Sequence, residues 1–566
     1  MTVSQGRRLT IVMVGFVLIA LVLIGRLFVF QIVESAELTE FGEQRNTTSI
    51  TSSPSRGVIY DRNLAILAGN GADYIIGASP SLVREPEEAS FALASILNRP
   101  QVELLALLTA NQTYVNISDG RVSEEVANLI RDLDFQGIQI DPVSRRIYPQ
   151  GKLLCHVIGY TNFDGVGSAG LEGHYQRELA GEAASAVVSY NPLTEQPSVI
   201  SREGSDLILT IDRSVQFLVE EHLSNAIRQH GAEGGTIIVM DPRTGAILAM
   251  ASTPCYNPYN FYEEDERYFL NPAISQQFEP GSVMKLITMA AAIDSGTVTP
   301  NSTYYDSGTL EVGGQYIYNW DRSGGGTTDM TTLLARSLNI GAATLALWMG
   351  TDTYYDYMTR FGFGTPTGVD VMAEAIGQVP QPGDELWTET NLAVNAFGQG
   401  MAATPLQVIS AISALANNGE IMQPYFVQEI RHHDGTVETH IPTIARRPVS
   451  AETAQILTTM AINAVAREVA EAQVEGYTIA GKTSTAQIPE GGIYHPTDII
   501  GAFVGWLPAD NPELIVLVKL DRPSSAPWGS QTAAPTFATL VDELVTLLNI
   551  PPDAVRFQED ISRMRN

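Results

Sequence analysis

Lysine is scarce in this 566-residue chain, which holds only Lys152, Lys285, Lys482 and Lys519 among 33 lysines and arginines together. A chain that uses Arg wherever a permanent charge will do keeps Lys where an amine must lose its proton or act as a compact donor, so these four are the first places to look for chemistry. Cysteine is scarcer still. Cys155 and Cys255 are too few for a disulfide framework, and because they fall in different domains they are expected as two unpaired core thiols rather than a bridge. Basic charge is also lacking: 33 Lys and Arg against 63 Asp and Glu leave a net charge of −30, which repels a phosphate backbone and excludes nucleic acid as the partner. After one N-terminal run no long apolar segment recurs, which excludes a multi-span transporter, and no internal repeat or low-complexity tract occurs. The composition that remains, 44% apolar and 17% charged, is that of a globular protein, with chain enough for three or four units of about 150 residues.

The one long run, Leu9 to Gly25, continues through Arg26 to Val33 and is long enough to cross a bilayer as a helix, with Arg26 able to snorkel to the interface. Arg7 and Arg8 precede it, which places the N-terminus in the cytoplasm and the rest of the chain outside. A cleaved signal peptide is the competing reading, but the stretch is long for one and Glu34, Ser35, Ala36 is a weak cleavage signal.

The chain divides into a cytoplasmic tail (1–8), a transmembrane helix (9–33), an accessory domain (34–203), a larger domain (204–549) and a short tail (550–566) that leaves no room for a further module. In the accessory domain, strand-like pieces such as Tyr74 to Gly77 alternate with helical ones such as Glu85 to Asn98 and Ser123 to Leu133. At its end, Leu207 to Ile211 reads as a strand and Asp212 as the cap of a helix. Thr236 to Asp241 and Ala246 to Ala251 form a hairpin across Pro242 to Gly245, and Ile499 to Leu507 and Leu514 to Leu520 form another across Ala509 to Pro512. Hairpins at both ends of an Ala- and Leu-rich helical section imply one antiparallel sheet whose edges are far apart in sequence. The fold class is α+β.

Two lysines fall into a pattern. Ser282 and Lys285 stand three apart where Phe278 to Gly281 lead into a helix closed by Gly296, so the amine can reach the hydroxyl on one helical face. Fifty-five residues after Ser282 comes Ser337-Leu338-Asn339, and 145 after Ser337 comes Lys482-Thr483-Ser484-Thr485. A second Ser-x-Asn, Ser189 to Asn191, precedes Ser282 and lies in the accessory domain, so it is set aside.

With these three elements in this order the chain resembles the class B penicillin-binding proteins, bitopic D,D-transpeptidases marked by Ser-x-x-Lys, Ser-x-Asn and Lys-Thr-Gly. The likeness extends to Arg56-Gly57-Val58-Ile59-Tyr60-Asp61-Arg62, to Arg146-Ile147-Tyr148-Pro149 with Gly170-Leu171-Glu172 in the pedestal, and to the loop Gly398-Gln399-Gly400. It covers about residues 7 to 548. One position departs from the pattern: Ser484 stands where the family usually has Gly, and its side chain is expected to crowd the substrate groove.

The resemblance implies residue roles. Ser282 is the nucleophile on the penultimate D-alanine of a peptidoglycan stem peptide, and Lys285 is its base. Ser337 relays a proton to the leaving amine, and Asn339 holds the substrate amide. Lys482, with Thr483 and Thr485, binds the terminal carboxylate; Ser484 and Gly398, Gln399 and Gly400 complete the substrate site. The oxyanion hole is made by the backbone N–H groups of Ser282 and Thr485. No metal or cofactor is required. β-Lactam antibiotics are expected to acylate Ser282, and a SEDS-family glycosyltransferase is the expected partner. Glu279-Pro280-Gly281 looks division-like rather than elongation-like. A β-lactamase or penicillin sensor does not account for so large a pedestal, and a non-catalytic scaffold does not account for both Ser282 and Lys285. Arg56, Asp61, Arg62 and Glu172 are expected to form a structural ion-pair network, and His432 and His433 a surface turn rather than a metal site.

Overall fold

The computed structural model describes residues 3–35, 47–52, 54–189, 201–385, 387–491 and 493–564. These fall into two compact units: Met1–Ser55 with Gly181–Gly204, and Arg56–Ala180 with Ser205–Asn566. In the first, an α-helix over Val3–Phe28 continues as a π-helical turn over Val29–Val33, and strand Thr47–Ser52 pairs antiparallel with Ala184–Ser189. The stretch Gly6–Val33, whose most apolar 18-residue window has a mean hydropathy of 2.8, is the one helix among the described residues long and apolar enough to cross a membrane.

The larger unit is built on a five-stranded antiparallel sheet. Its strands are β1 (Gly234–Met240), β2 (Ile247–Thr253), β3 (Ala480–Glu490), β4 (Ile493–Leu507) and β5 (Leu514–Asp521), in the order β3-β4-β5-β1-β2. The two hairpins read from the sequence are therefore joined side by side, with Ile515 opposite Met240, and β3 is an edge. Period-two alternation buries both faces. Ile237 and Val239 pack with helix α1 (Arg213–His230), whereas Ile238 and Met240 share a core with α2 (Met284–Asp294). Asp212 caps α1 as expected, accepting from Ser214 N at 2.9 Å. Beyond α2 lie α3 (Met330–Arg336), α4 (Asn339–Met349), α5 (Ala451–Glu468) and α6 (Ala533–Leu547).

A second sheet carries the accessory region. The long strand Ile66–Ala78 pairs antiparallel with Ile138–Ile147, and helices Pro86–Ile96, Gln101–Leu108 and Glu124–Asp132 lie near it over a core that includes Ile76, Leu93, Leu104 and Ile130. Strand Asp206–Leu209 lies between Ile59–Tyr60 on one side and Val427–Arg431 on the other, so this sheet runs from the accessory region into the larger domain.

Two expectations are corrected here. Cys155 and Cys255 are joined as a disulfide, with Cα atoms 6.3 Å apart. The segment around Cys155 packs on the end of β2, where the Tyr256 hydroxyl also donates to the Cys155 carbonyl at 2.9 Å, so assignment to different domains did not keep the sulfurs apart. The ion-pair network forms with other members. Glu172, fully buried, accepts from Arg56 Nε and Arg146 Nε, each at 2.6 Å. Asp61 instead accepts from Asn63 N at 2.8 Å, Ala65 N at 2.7 Å and Arg213 N at 3.1 Å, which ties its own turn to the start of α1. Arg62 contributes its backbone N–H, bonded to the Ile211 carbonyl. His432 lies on the hairpin following Val427–Arg431 and contacts Ser205 Oγ at 2.8 Å and Glu438 Oε1 at 2.9 Å.

Candidate active site

Ser282 sits in a tight turn, Gly281–Val283, that leads directly into α2, so the Ser282 hydroxyl and the Lys285 amine straddle the helix start rather than sharing its interior. The turn requires Gly281, whose φ of +58° suits glycine. It also requires Gly398 beside it: the Gly281 N–H donates to the Gly398 carbonyl at 3.1 Å, and a side chain at Gly398 would strike the Gly281 backbone. Gly400 N donates to Glu279 Oε1 at 2.9 Å, and Tyr494 donates to the same oxygen at 3.2 Å. The Gly-Gln-Gly loop is thus a buttress of the turn that holds Ser282, with Gln399 lining the groove beyond it.

Ser337 ends α3 in the left-handed region, φ +58°, and two residues later α4 begins at Asn339. That reversal turns both polar groups of the Ser-x-Asn element toward Lys285. The Lys285 amine, 1% exposed, lies 3.0 Å from Ser282 Oγ, 2.6 Å from the Ser337 carbonyl, 3.1 Å from Ser337 Oγ and 2.7 Å from Asn339 Oδ1. Burial and the neighbouring Lys482 cation hold its pKa well below the ordinary lysine value. As a neutral amine it has two N–H donors and one lone pair. The Ser337 carbonyl and Asn339 Oδ1 can only accept, so they take the two protons and leave the lone pair to a hydroxyl that can donate. Ser282 is that hydroxyl's natural identity, and Ser337 the alternate.

β3 brings the third element to the same place. Lys482 is 3% exposed, and burial pushes its pKa down to about 8 against the opposing pull of Glu468 at the end of α5. Ser282, Ser337, Asn339, Lys482, Thr483 and Thr485 line one cavity of about 340 Å³, together with Trp320, Glu468 and Trp528. Asn339, Thr485, Trp320 and Trp528 also line a groove of about 1040 Å³ that leads away from it. The two indoles meet edge to face at 5.6 Å although both are substantially exposed. Sequence reasoning missed Trp320, Trp528, Glu468 and Tyr494; the only available signal was that the chain has just five Trp.

Ser484 is a correction. Its side chain does not enter the groove: it is 2% exposed and donates to the Pro280 carbonyl at 2.6 Å, behind the Gly281–Val283 turn and against Gly281. Alternation along β3 puts it on the face toward that turn, whereas Thr485 accepts from Gly529 N at 2.9 Å. Ser484→Ala is therefore expected to lower unfolding stability by about 1 kcal/mol through the orphaned carbonyl while leaving the initial non-covalent affinity for a β-lactam unchanged. Denaturant melts and stopped-flow acylation measure the two effects. Weaker affinity at native stability would return the side chain to the groove.

Residues 235–542 match the penicillin-binding protein transpeptidase domain, and residues 51–208 match the penicillin-binding protein dimerisation domain. Stage V sporulation protein D of Bacillus subtilis is 32% identical over 97% of this chain and 87% of its own. The peptidoglycan D,D-transpeptidase FtsI of Escherichia coli is 30% identical over 96% of this chain and 92% of its own. Among solved structures, penicillin-binding protein 3 of Mycobacterium tuberculosis in complex with aztreonam superposes with a TM-score of 0.70 at 27% identity, covering 89% of this chain and 98% of that one. A peptidoglycan synthetase from Bifidobacterium adolescentis gives 0.73 at 26% identity, over 90% and 98%.

Proposed function

The chain belongs to the class B penicillin-binding proteins, and from that membership we propose how its residues carry out peptidoglycan D,D-transpeptidation. Ser282 Oγ attacks the carbonyl of the penultimate D-alanine of a stem peptide as its proton passes to Lys285 Nζ. The tetrahedral oxyanion faces the backbone N–H groups of Ser282 and Thr485. The bond to the terminal D-alanine breaks, and its nitrogen takes a proton relayed from Lys285 through Ser337 Oγ. An amine of a second stem then attacks the Ser282 ester and gives up its proton to Lys285, and Ser282 leaves as the hydroxyl. Asn339 holds the donor amide, and Lys482 with Thr483 and Thr485 holds the carboxylate. A β-lactam follows the first half of this path, but its leaving nitrogen stays tethered and blocks the acceptor.

The observation that carries this reading is the buried Lys285 amine, 3.0 Å from Ser282 Oγ with its N–H groups committed to two obligate acceptors. A non-catalytic scaffold has no use for that arrangement. We further assign residues 34–203 to support, residues 204–549 to catalysis and 550–566 to a tail. The N-terminal helix is assigned to a membrane anchor with Arg7 and Arg8 on the cytoplasmic side and the catalytic domain outside, beside a SEDS-family glycosyltransferase and in a division-type role. The purified full chain, given a peptide ending in D-alanyl-D-alanine and an amine acceptor, is expected to release one D-alanine for each new amide. Release without amide product would make the reaction hydrolysis, and no release would end the reading.

A further inference from the structure

The hydrogen bonds of Asn339 lead to a second pair of residues. For the Lys285 lone pair to face Ser282, the Asn339 amide must present its oxygen, not its nitrogen, to the amine. Lys285 itself cannot enforce this, because a neutral amine can donate or accept. The orientation is set on the other side, where Asn339 Nδ2 donates to the Tyr318 carbonyl at 3.0 Å. That carbonyl lies at the end of strand Gln315–Tyr318, and the next residue, Asn319, is 2% exposed. Asn319 Oδ1 accepts from Ile340 N at 3.1 Å, satisfying a first-turn N–H of α4, the helix that begins with Asn339. Asn319 Nδ2 donates to Asp306 Oδ2 at 2.8 Å and to the Ser323 carbonyl at 3.0 Å. Asp306, 1% exposed, also accepts from Gly308 N at 3.0 Å and, at 3.4 Å, from the Tyr304 hydroxyl.

We propose that Asp306 and Asn319 are positioning residues for the transpeptidase reaction. The Asp306 carboxylate selects the orientation of the Asn319 amide, Asn319 clamps the start of α4 against the Tyr318 carbonyl, and that carbonyl selects the orientation of Asn339 that keeps the Lys285 lone pair on Ser282. Neither residue lines the 340 Å³ cavity that holds Ser282 and Lys482, although Asn319 reaches the wall of the adjoining groove, and neither belongs to a recognised motif of the chain. The inference rests on the reading of Lys285 as base, and it adds the reason why that base points where it does. With Asn319 removed, the Asn339 amide can turn its N–H₂ toward Lys285. The lone pair is then occupied and the ammonium loses an acceptor. Both changes favour the neutral amine, so the rate falls even though less of the amine is protonated. The other charged groups around Lys285 are Lys482 on β3 and, at the cavity wall, Arg336 and Glu468. None of them is altered by the substitution.

The test uses the full chain and one β-lactam, with acylation measured against concentration and pH. Asn319→Ala is expected to lower the limiting acylation rate about tenfold to a hundredfold, the range for misplacing a catalytic group by about 1 Å, with little change in initial affinity. The acid-side midpoint of the rate profile is expected to move to lower pH. A purely structural role predicts a lower melting temperature with limiting rate and midpoint unchanged, which would overturn the proposal. Asn319→Asp alone sets two carboxylates side by side and is expected to fail. The exchange of Asp306→Asn with Asn319→Asp restores a donor facing an acceptor and keeps an oxygen on Ile340 N, but gives up the bond to the Ser323 carbonyl, and is expected to recover the rate to within about tenfold. If the single variants do not fold, the exchanged pair decides: folded and within about tenfold of the native rate supports the device, folded and more than about a hundredfold slow overturns it. Lys285→Arg separates this outcome from failure of the base assignment, because normal acylation there would remove the base whatever Asn319 does.

Discussion

Ser282→Ala is expected to abolish covalent labelling by a fluorescent penicillin, with unfolding stability changed by less than about 1 kcal/mol. The hydroxyl lies in a turn at the floor of the cavity, not in the core, and Lys285 keeps three other acceptors after its removal. No other hydroxyl substitutes. Ser337 lies as near to the amine, at 3.1 Å, but it ends α3 rather than sitting in the turn that opens α2. Mass spectrometry of the labelled protein, with and without the substitution, reads the result. An adduct that survives on another residue would end the nucleophile assignment.

The second large effect concerns the two buried lysines. Lys285→Arg is expected to slow acylation by about 10²- to 10⁴-fold, the range for losing a general base, because a guanidinium keeps its proton and has no lone pair to offer. The native pH profile should be bell-shaped for a carboxylate-bearing β-lactam. Both lysines have pKa values lowered by burial, so each loses its charge at a lower pH than an exposed lysine. Lys285 gives up its proton first, because the Lys482 cation opposes it, and that sets the rising limb. Lys482, pushed down to about 8, then loses the charge that holds the carboxylate, and the rate falls as pH rises through that value. In Lys482→Arg, which keeps its charge, the alkaline limb should move well above pH 8. An alkaline limb that stays near pH 8 would assign it to another group.

Local patterns carried most of the site into view from the sequence alone. Ser-x-x-Lys, Ser-x-Asn and the Lys482 strand are each short enough to be set by one turn, one helix junction or one strand, and their order along the chain made them a set. The hairpins around Pro242 to Gly245 and Ala509 to Pro512 were legible because turn residues separate two apolar runs. What escaped depends on contacts between distant segments. Nothing near Cys155 or Cys255 indicates a partner 100 residues away. Arg62 and Arg146 are equally plausible partners for Glu172 until the strands that carry them are placed. Ser484 was misjudged because its face of β3 depends on what packs behind it, and that is the turn beneath Ser282. Asn319 carries no motif, and its importance lies wholly in the three groups bonded to its side chain.

The strand Asp206–Leu209 also bears on how this polypeptide can be divided. It is bonded to Ile59–Tyr60, nearly 150 residues before it, and to Val427–Arg431, more than 200 residues after it, so each side supplies half of its ladder. A fragment begun at residue 204 would keep this strand but leave one of its edges unpaired, with apolar Leu207 and Leu209 beside it. An open, apolar edge is a template for self-association. Soluble expression of the catalytic region is therefore best begun upstream of Arg56. The segment around Ile59–Tyr60 then acts as the other wall of a seam, and the Asp206–Leu209 strand is paired on both edges only when that wall is present.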